Sequence, residues 1–462
     1  MTAEPFRPPV YPYERLAGAQ KLAQAHEGGM VDLSIGTPND APPPAVVAAL
    51  SSSNAERGYP ASVGNAGYRE AASGWMRRRL GVTVEPAAVY ACVGTKEFVT
   101  TLPHWLHLRR PDLDTVLYPA VSYPSYAMGA TLAGCRAVAV PVDERWRLDL
   151  SAIDETDAAR ALCLWVNTPG NPAGQVEDLA AAAGWGRAHG VPVFSDECYV
   201  EFTWPTTDAT GLRVPIPGVL HERREPGSSF DGDSTDPTGQ EGGRRGGGGE
   251  SGSGGATTDA TAQEGGRRGG GGGSRSGGAT TSAAPGVRHE RSGSASSRRT
   301  ILEHGPEGVV AVHSLSKRSN LAGLRAGFYA GDADLTHYLS EVRKHVGMLM
   351  PGPVQAAGAV ALGDDEHVEA QRELYRERIE VFAGILGDLG VEAPEPEGGF
   401  YLWAPVPDGD AWGFAERLAR DGGCLVSPGD LYGAAGAGHV RVALVQPVER
   451  LALVAERLAR SG

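Results

Sequence analysis

Short apolar runs, rich in β-branched residues and too brief for helices, recur along this chain. Each gives way to loop residues and then to a helical pattern. They read "AVYACV", which leads into "GTKEFVTTLPHWL", then "TVLYP", "AVAVPV", "ALCLWVNTPGNPAG", "VPVFSDE" and "GVVAVHSLSK". Runs of this length, apolar on both faces, suit buried strands of a mainly parallel sheet with helices between them. The alternation predicts the α/β class, with functional groups at the carboxyl ends of the strands. After about residue 335 the pattern changes. Tyr375, Ile379, Phe382, Leu386 and Leu389 keep helical spacing up to a C-cap at Gly390. "GGFYLWAPV" and "HVRVALV" then read as antiparallel strands, and "VERLALVAERLAR" as a closing amphipathic helix. The expected organisation is a large domain over residues 46–335 and a smaller α+β domain made of 1–45 with 336–462.

One stretch cannot belong to either. Between Asp231 and Gly286 there is no Val, Ile, Leu, Met, Phe, Trp or Tyr, and residues 241–280 contain 18 glycines. Such a segment buries too little apolar area to offset its ordering entropy. It also repeats itself, "QEGGRRGGGG" starting at Gln240 and Gln263 and "GGATT" at Gly254 and Gly277, without a hydrophobic face to stack. We expect a duplicated, disordered surface insertion over about 207–298. Its arginines beside glycine runs resemble RNA-binding RGG tracts but lack interleaved aromatics.

A formal charge of −14 argues against a general nucleic-acid or anionic-membrane binder, and 41% apolar residues suit a soluble enzyme with a sizeable core. The five cysteines are scattered and never paired as CxxC, as expected for buried thiols in a reducing cytoplasm. The N-terminus lacks a signal-peptide pattern, and no run approaches the roughly 18 apolar residues that span a bilayer. A cytoplasmic protein is the expectation. The twelve histidines show no ligand spacing, so no metal site is expected, and His313 reads as a packed strand residue.

Four polar groups sit at the predicted strand ends. After "GVVAVH", Ser314, Ser316 and Lys317 leave the sheet together and Arg325 follows. A partly desolvated lysine amine is nucleophilic toward a carbonyl, and the hydroxyls and guanidinium are donors for a phosphate. A solvated lysine in a turn is the plain alternative. Asp196 follows four core-type residues at a depth where an unpaired carboxylate is costly, so it needs a cationic partner such as a protonated pyridine nitrogen. A helix cap or a local arginine would satisfy it too. Tyr199, three residues on, is placed to donate to a phenolate oxygen. In "VNTPGNPAG" two prolines and two glycines fix a loop able to hold the Asn167 amide toward a ring oxygen. Gly94, Thr95 and Lys96 open a helix whose free N–H groups favour a phosphate, although an ordinary cap by Thr95 fits the same string. Together these are the requirements of pyridoxal 5′-phosphate.

With those residues in place the chain resembles the fold-type I pyridoxal-phosphate aminotransferases over nearly everything but the insertion. The resemblance implies a mainly parallel seven-stranded sheet between helices in the large domain. It implies that Lys317 binds the cofactor covalently, that Asp196 pairs with its ring nitrogen, and that Tyr199 and Asn167 bond its 3′-oxygen. Thr95, Lys96, Ser314, Ser316 and Arg325 would cradle the phosphate. Ala120 cannot stack on the ring, so Tyr123 takes that place. Gly36, in "SIGTPND", would back the substrate, Asn167 would border it, and Arg441, in "HVRVALV", would grip its α-carboxylate. Tyr59, in "GYPASVGNAGYREA", would reach the cofactor phosphate of a partner subunit, which implies a homodimer. The strings "VDLSIGTPND", "YPSYAMGA", "SDECYVEFTW", "AVHSLSKRSNLAGLRAGF" and "LMPGPVQAA" resemble the actinobacterial N-succinyldiaminopimelate aminotransferases most closely. That subgroup implies amino transfer between N-succinyl-LL-2,6-diaminopimelate and 2-oxoglutarate in lysine and diaminopimelate biosynthesis. Another donor (aspartate, aromatic or aliphatic) and a carbon–sulfur β-lyase remain open. A cofactor-sensing regulator is a poorer fit, because the roughly 30 residues before "VDLSIG" are too few for a helix-turn-helix.

Overall fold

Seven strands form the central sheet of the computed structural model, which describes residues 6–204, the backbone of 288–289, and 298–461. They are β1 (Val89–Cys92), β2 (Thr115–Pro119), β3 (Arg136–Val140), β4 (Ala161–Asn167), β5 (Val193–Asp196), β6 (Val309–Ser314) and β7 (Gly327–Gly331). Their spatial order is β1-β7-β6-β5-β4-β2-β3. The pairs β3/β2, β2/β4, β4/β5 and β5/β6 are parallel, whereas β7 runs antiparallel to both β6 and β1. Every residue of β4, β5, β6 and β7 is buried, which is why these segments read as unbroken apolar runs. β3 departs from the expectation of burial on both faces. It is the edge strand, with Arg136, Ala137 and Ala139 exposed.

Successive side chains divide between the two faces of the sheet, as the period of two requires. Leu164, Val166, Val193 and Ala311 enter one apolar cluster; Trp165, Phe194, Val310 and Val312 enter another beneath α1 (Thr95–Arg109) and α2 (Ser125–Leu132). A separate cluster surrounds a three-stranded antiparallel sheet of β8 (Tyr401–Pro405), β9 (Ser427–Pro428) and β10 (His439–Ala443). The helices α4 (Glu366–Asp388) and α5 (Val448–Ser461) pack there together with the helix Ala411–Gly422, and α3 (Leu315–Arg318) precedes them in the chain. Tyr375, Ile379, Phe382 and Leu386 form the buried stripe of α4 as expected. Its C-cap is Leu389 rather than Gly390, which follows it with φ +76° and turns the chain away.

The glycine-rich stretch expected as an insertion lies outside the described residues, apart from Arg298 and the pair Arg288–His289. That pair forms an antiparallel ladder with Val82–Thr83. Among the described residues, no helix is long and apolar enough to cross a membrane.

Strand register sets the position of the site. Asn167 pairs with Asp196 across β4 and β5, Ser314 with Gly327 across β6 and β7, and Gly327 with Cys92 across β7 and β1. The carboxyl ends of the parallel strands therefore finish along one edge. Because β7 runs the other way, Arg325, which precedes it, emerges at that same edge.

Candidate active site

A cavity of about 270 Å³ opens where these ends meet. Of the residues expected to act together, Gly36, Thr95, Lys96, Tyr123, Asn167, Asp196, Tyr199, Ser314, Ser316, Lys317, Arg325 and Arg441 all line it. Tyr59 does not. It stands 98% exposed outside the cavity of its own chain.

Lys317 leaves β6 on the single turn of α3, which starts where the Ser314 hydroxyl accepts from the Ser316 N–H at 3.2 Å. Its amine donates to the Gly36 carbonyl. Burial lowers its pKa to about 8, with the guanidiniums of Arg441 and Arg325 acting in the same direction. The amine is thus moved toward its nucleophilic form. Gly36 has to be glycine because a Cβ there would fall 2.0 Å from the Tyr401 hydroxyl oxygen.

Asp196 is buried at the end of β5. Its Oδ2 accepts from the Tyr126 hydroxyl at 3.0 Å and its Oδ1 from the Cys198 N–H at 3.3 Å. Burial raises its pKa, opposed by those two hydrogen bonds. The Asn167 amide donates to the Asp196 carbonyl at 2.9 Å, and its oxygen accepts from the Asn171 N–H at 2.8 Å. The amide plane is fixed, with its second N–H unspent. The Tyr199 hydroxyl lies 2.6 Å from that of Tyr401.

Arg325 holds φ +54°, a strained conformation for a side-chain-bearing residue. The strain delivers its guanidinium against Gly94, where a Cβ would sit 2.2 Å from Nη2. Gly94, itself at φ +77°, precedes Thr95 at the start of α1. Arg441, 1% exposed on β10, donates to Asn171 Oδ1 at 2.8 Å and to the Ser34 carbonyl, between the rings of Tyr401 and Tyr432. Its Nε is buried with no hydrogen-bond partner among the described residues.

Sequence reasoning missed Tyr126, Tyr401, Asn171, Tyr11 and Tyr13. The first three lie inside strings already singled out, "YPSYAMGA", "GGFYLWAPV" and "VNTPGNPAG", but only tertiary packing turns them toward the cavity.

Each ionic group in this cavity lacks a counterpart that one ligand would supply. Asp196 is a buried carboxylate with hydrogen bonds but no ion pair among the described residues, and a protonated pyridine nitrogen provides the missing cation. Beside the helix start, Arg325 bonds only the Ala322 carbonyl among the described residues, leaving donors for a phosphate. The residues present fit pyridoxal 5′-phosphate, and with the doubly wound sheet they define an enzyme of the fold-type I class that depends on it.

The model for aminotransferase class I and II matches residues 28–223 and 284–458, and the chain belongs to that family. It is 36% identical over 97% of its length to the probable aminotransferase Rv1178 of Mycobacterium tuberculosis, covering 85% of that protein. It is 35% identical to the 4-dedimethylamino-4-oxo-anhydrotetracycline transaminase OxyQ of Streptomyces rimosus, covering 97% of this chain and 99% of OxyQ. Among solved structures, a probable N-succinyldiaminopimelate aminotransferase from Thermus thermophilus superimposes with a TM-score of 0.70 at 26% identity, covering 98% of this chain and all of that one. The protein is a pyridoxal-phosphate-dependent aminotransferase.

Proposed function

We propose that this aminotransferase moves the amino group of N-succinyl-LL-2,6-diaminopimelate to 2-oxoglutarate, within lysine and diaminopimelate biosynthesis. The observation that carries the donor is the full-length likeness to the probable N-succinyldiaminopimelate aminotransferase of Thermus thermophilus, together with the motif strings quoted above. When bound, pyridoxal phosphate supplies a conjugated electron sink for the charge released at the substrate α-carbon.

The chain's own residues do the rest. Arg441 pairs with the substrate α-carboxylate in two parallel hydrogen bonds, with Asn171 and the Tyr401 and Tyr432 rings holding the guanidinium in plane. The Lys317 amine would hold the cofactor covalently. The same amine, when free, would be the base that takes the proton from the substrate α-carbon and returns it. Asp196 would keep the ring nitrogen protonated, Asn167 and Tyr199 would donate to the ring oxygen, and Tyr123 would cover the ring face. Thr95 and Lys96 at the start of α1, with Ser314, Ser316 and Arg325, hold the phosphate. Gly36 backs the substrate with its carbonyl against Lys317. The fully exposed ring of Tyr59 supports a homodimer in which it reaches the neighbouring site. The separate apolar clusters support two domains, but Met350, Val354, Ala357, Ala361 and Leu362 pack with the large-domain cluster, which moves the boundary beyond residue 335. A cytoplasmic location suits the free cysteines.

The 35% identity to OxyQ favours one second reading, an aminotransferase acting on a bulky cyclic ketone. A donor and acceptor panel decides, with glutamate formation from 2-oxoglutarate as the readout. Highest kcat/KM on N-succinyl-LL-2,6-diaminopimelate is the expected result. Higher values on aspartate, aromatic or aliphatic donors, or on a polycyclic amine, would overturn the donor. Pyruvate and ammonia formed without an acceptor would indicate a lyase.

A further inference from the structure

Lys317 and Gly36 meet inside the cavity, yet groups that fix both of them lie outside it. Gly36 stands between two pinned ends of its loop. At one end the Ser34 carbonyl accepts from Arg441 and, at 2.8 Å, from the Ser427 hydroxyl. At the other, Arg378 of α4 grips the Asp40 carboxylate, Nη1 to Oδ2 at 2.8 Å and Nη2 to Oδ1 at 2.6 Å. Arg378 is buried, and a two-pronged contact of this kind fixes orientation as well as distance.

The lysine turn is tied to the same helix. Ser319 caps α3 and Asn320 follows it. The Ser319 hydroxyl lies 3.0 Å from His367 Nε2, and the Asn320 amide donates to Gln371 Oε1 at 2.9 Å. Gln371 in turn donates from its own amide to Asp40 Oδ2 at 2.8 Å. Residues 367, 371 and 378 share one face of α4, because steps of four and seven return to the same side of a helix. Gln371 is buried with both ends of its amide engaged. Asn320 holds φ +55°, a costly conformation for a residue with a side chain, which persists where the surroundings enforce it. Asn320, Gln371, Asp40 and Arg378 are all absent from the cavity wall.

We propose that Asn320, Gln371, Asp40 and Arg378 are positioning residues, which hold the Lys317 amine and the Gly36 carbonyl at the separation that proton transfer at the substrate α-carbon requires. Asn320 comes three positions after Lys317 and Asp40 four after Gly36. The Asn320–Gln371–Asp40 bridge therefore closes a ring with the hydrogen bond from Lys317 to Gly36. Slackening the bridge lets the base drift from the substrate, and a misplacement of about 1 Å is enough to slow chemistry by up to about a hundredfold. This role deepens the reading of Lys317 as the base and rests on it, whichever amino donor the enzyme takes.

The test uses the holoenzyme in single turnovers with the best donor of the panel above, carrying hydrogen or deuterium at its α-carbon. Asn320→Gly removes the amide while keeping a residue at ease with φ +55°. Gln371→Leu removes both arms of the bridge. In each, the rate at saturating donor should fall about tenfold with the half-saturating concentration unchanged. Deuterium should slow each variant at least as much as it slows wild type. Arg378→Lys, which keeps the charge but not the fork, should lose less. An unchanged rate in Asn320→Gly overturns the proposal. So does a lower rate with a smaller isotope effect, or a lower thermal midpoint with the rate unaltered, which would leave the bridge a purely structural role. Failure of the underlying reading looks different, because Lys317→Ala would then still turn over.

Discussion

The buried Tyr126 hydroxyl donates to Asp196 Oδ2 at 3.0 Å, and both residues line the cavity. Tyr126 reaches it from α2, with its ring 5.2 Å from that of Trp165, and the bond holds the carboxylate at the wall of the cavity that both residues line. Burial drives Asp196 toward its neutral form, and this hydrogen bond is the largest of the contributions opposing that shift. Tyr126→Phe should raise the cofactor dissociation constant about five- to tenfold, the worth of one hydrogen bond to a buried charged group. The absorbance of the bound cofactor should also titrate at altered pH. Fluorescence titration and a spectroscopic pH series read both effects.

Arg441 offers a planar guanidinium whose buried Nε has no hydrogen-bond partner among the described residues. Lysine cannot reproduce two parallel donors at that site. Arg441→Lys should raise the KM for amino donors by about ten- to a hundredfold while the spectrum of the bound cofactor stays as in wild type, measured by steady-state kinetics alongside absorbance.

Gly36→Ala places a methyl 2.0 Å from the Tyr401 hydroxyl, which itself bonds Tyr199 at 2.6 Å. The loop bearing the Lys317 contact must then move. Turnover should fall by about a hundredfold or more, with little change in thermal midpoint. Gly58→Ala, with nothing within 4 Å of the added Cβ, is the control for glycine replacement as such.

Glu201 is buried among Trp75, Arg79, Arg298 and Arg318. Burial alone would raise its pKa, but the guanidiniums of Arg318, Arg79 and Arg298 hold it down to about 2. Its folded pKa lies below the ordinary value of 4.5, so its contribution is present above pH 4.5 and is lost as pH falls toward 2. Glu201→Gln should cost about 3 kcal/mol at pH 7. The gap to wild type should narrow between pH 5 and pH 3, as followed by urea unfolding.

Much of this site was legible because burial is legible. A polar residue directly after an unbroken apolar run has to lie at the end of a buried strand, and Asn167, Asp196 and Ser314 do. Lys317 follows on the first turn beyond. Edge position was not legible, because "AVAVPV" carries the residues of an interior strand and only the sheet order leaves β3 open on one side. Nor was β7, a short strand between two glycines that follows its loop directly; its reversed direction is what returns Arg325 to the site. Tyr126 and Tyr401 were unreadable for a different reason. Their contacts depend on how a helix and a second sheet pack, and neighbouring residues carry no trace of that.

The central claim is a cofactor tethered at one amine. Purified protein supplied with pyridoxal 5′-phosphate, reduced with borohydride and digested, should give a single peptide carrying the reduced cofactor mass at Lys317. In cofactor-free protein that amine should acylate with a midpoint near pH 8, because burial lowers its pKa from 10.5 and leaves it neutral once pH passes that value. An adduct on Lys21, Lys96 or Lys344, or none at all, would contradict the account.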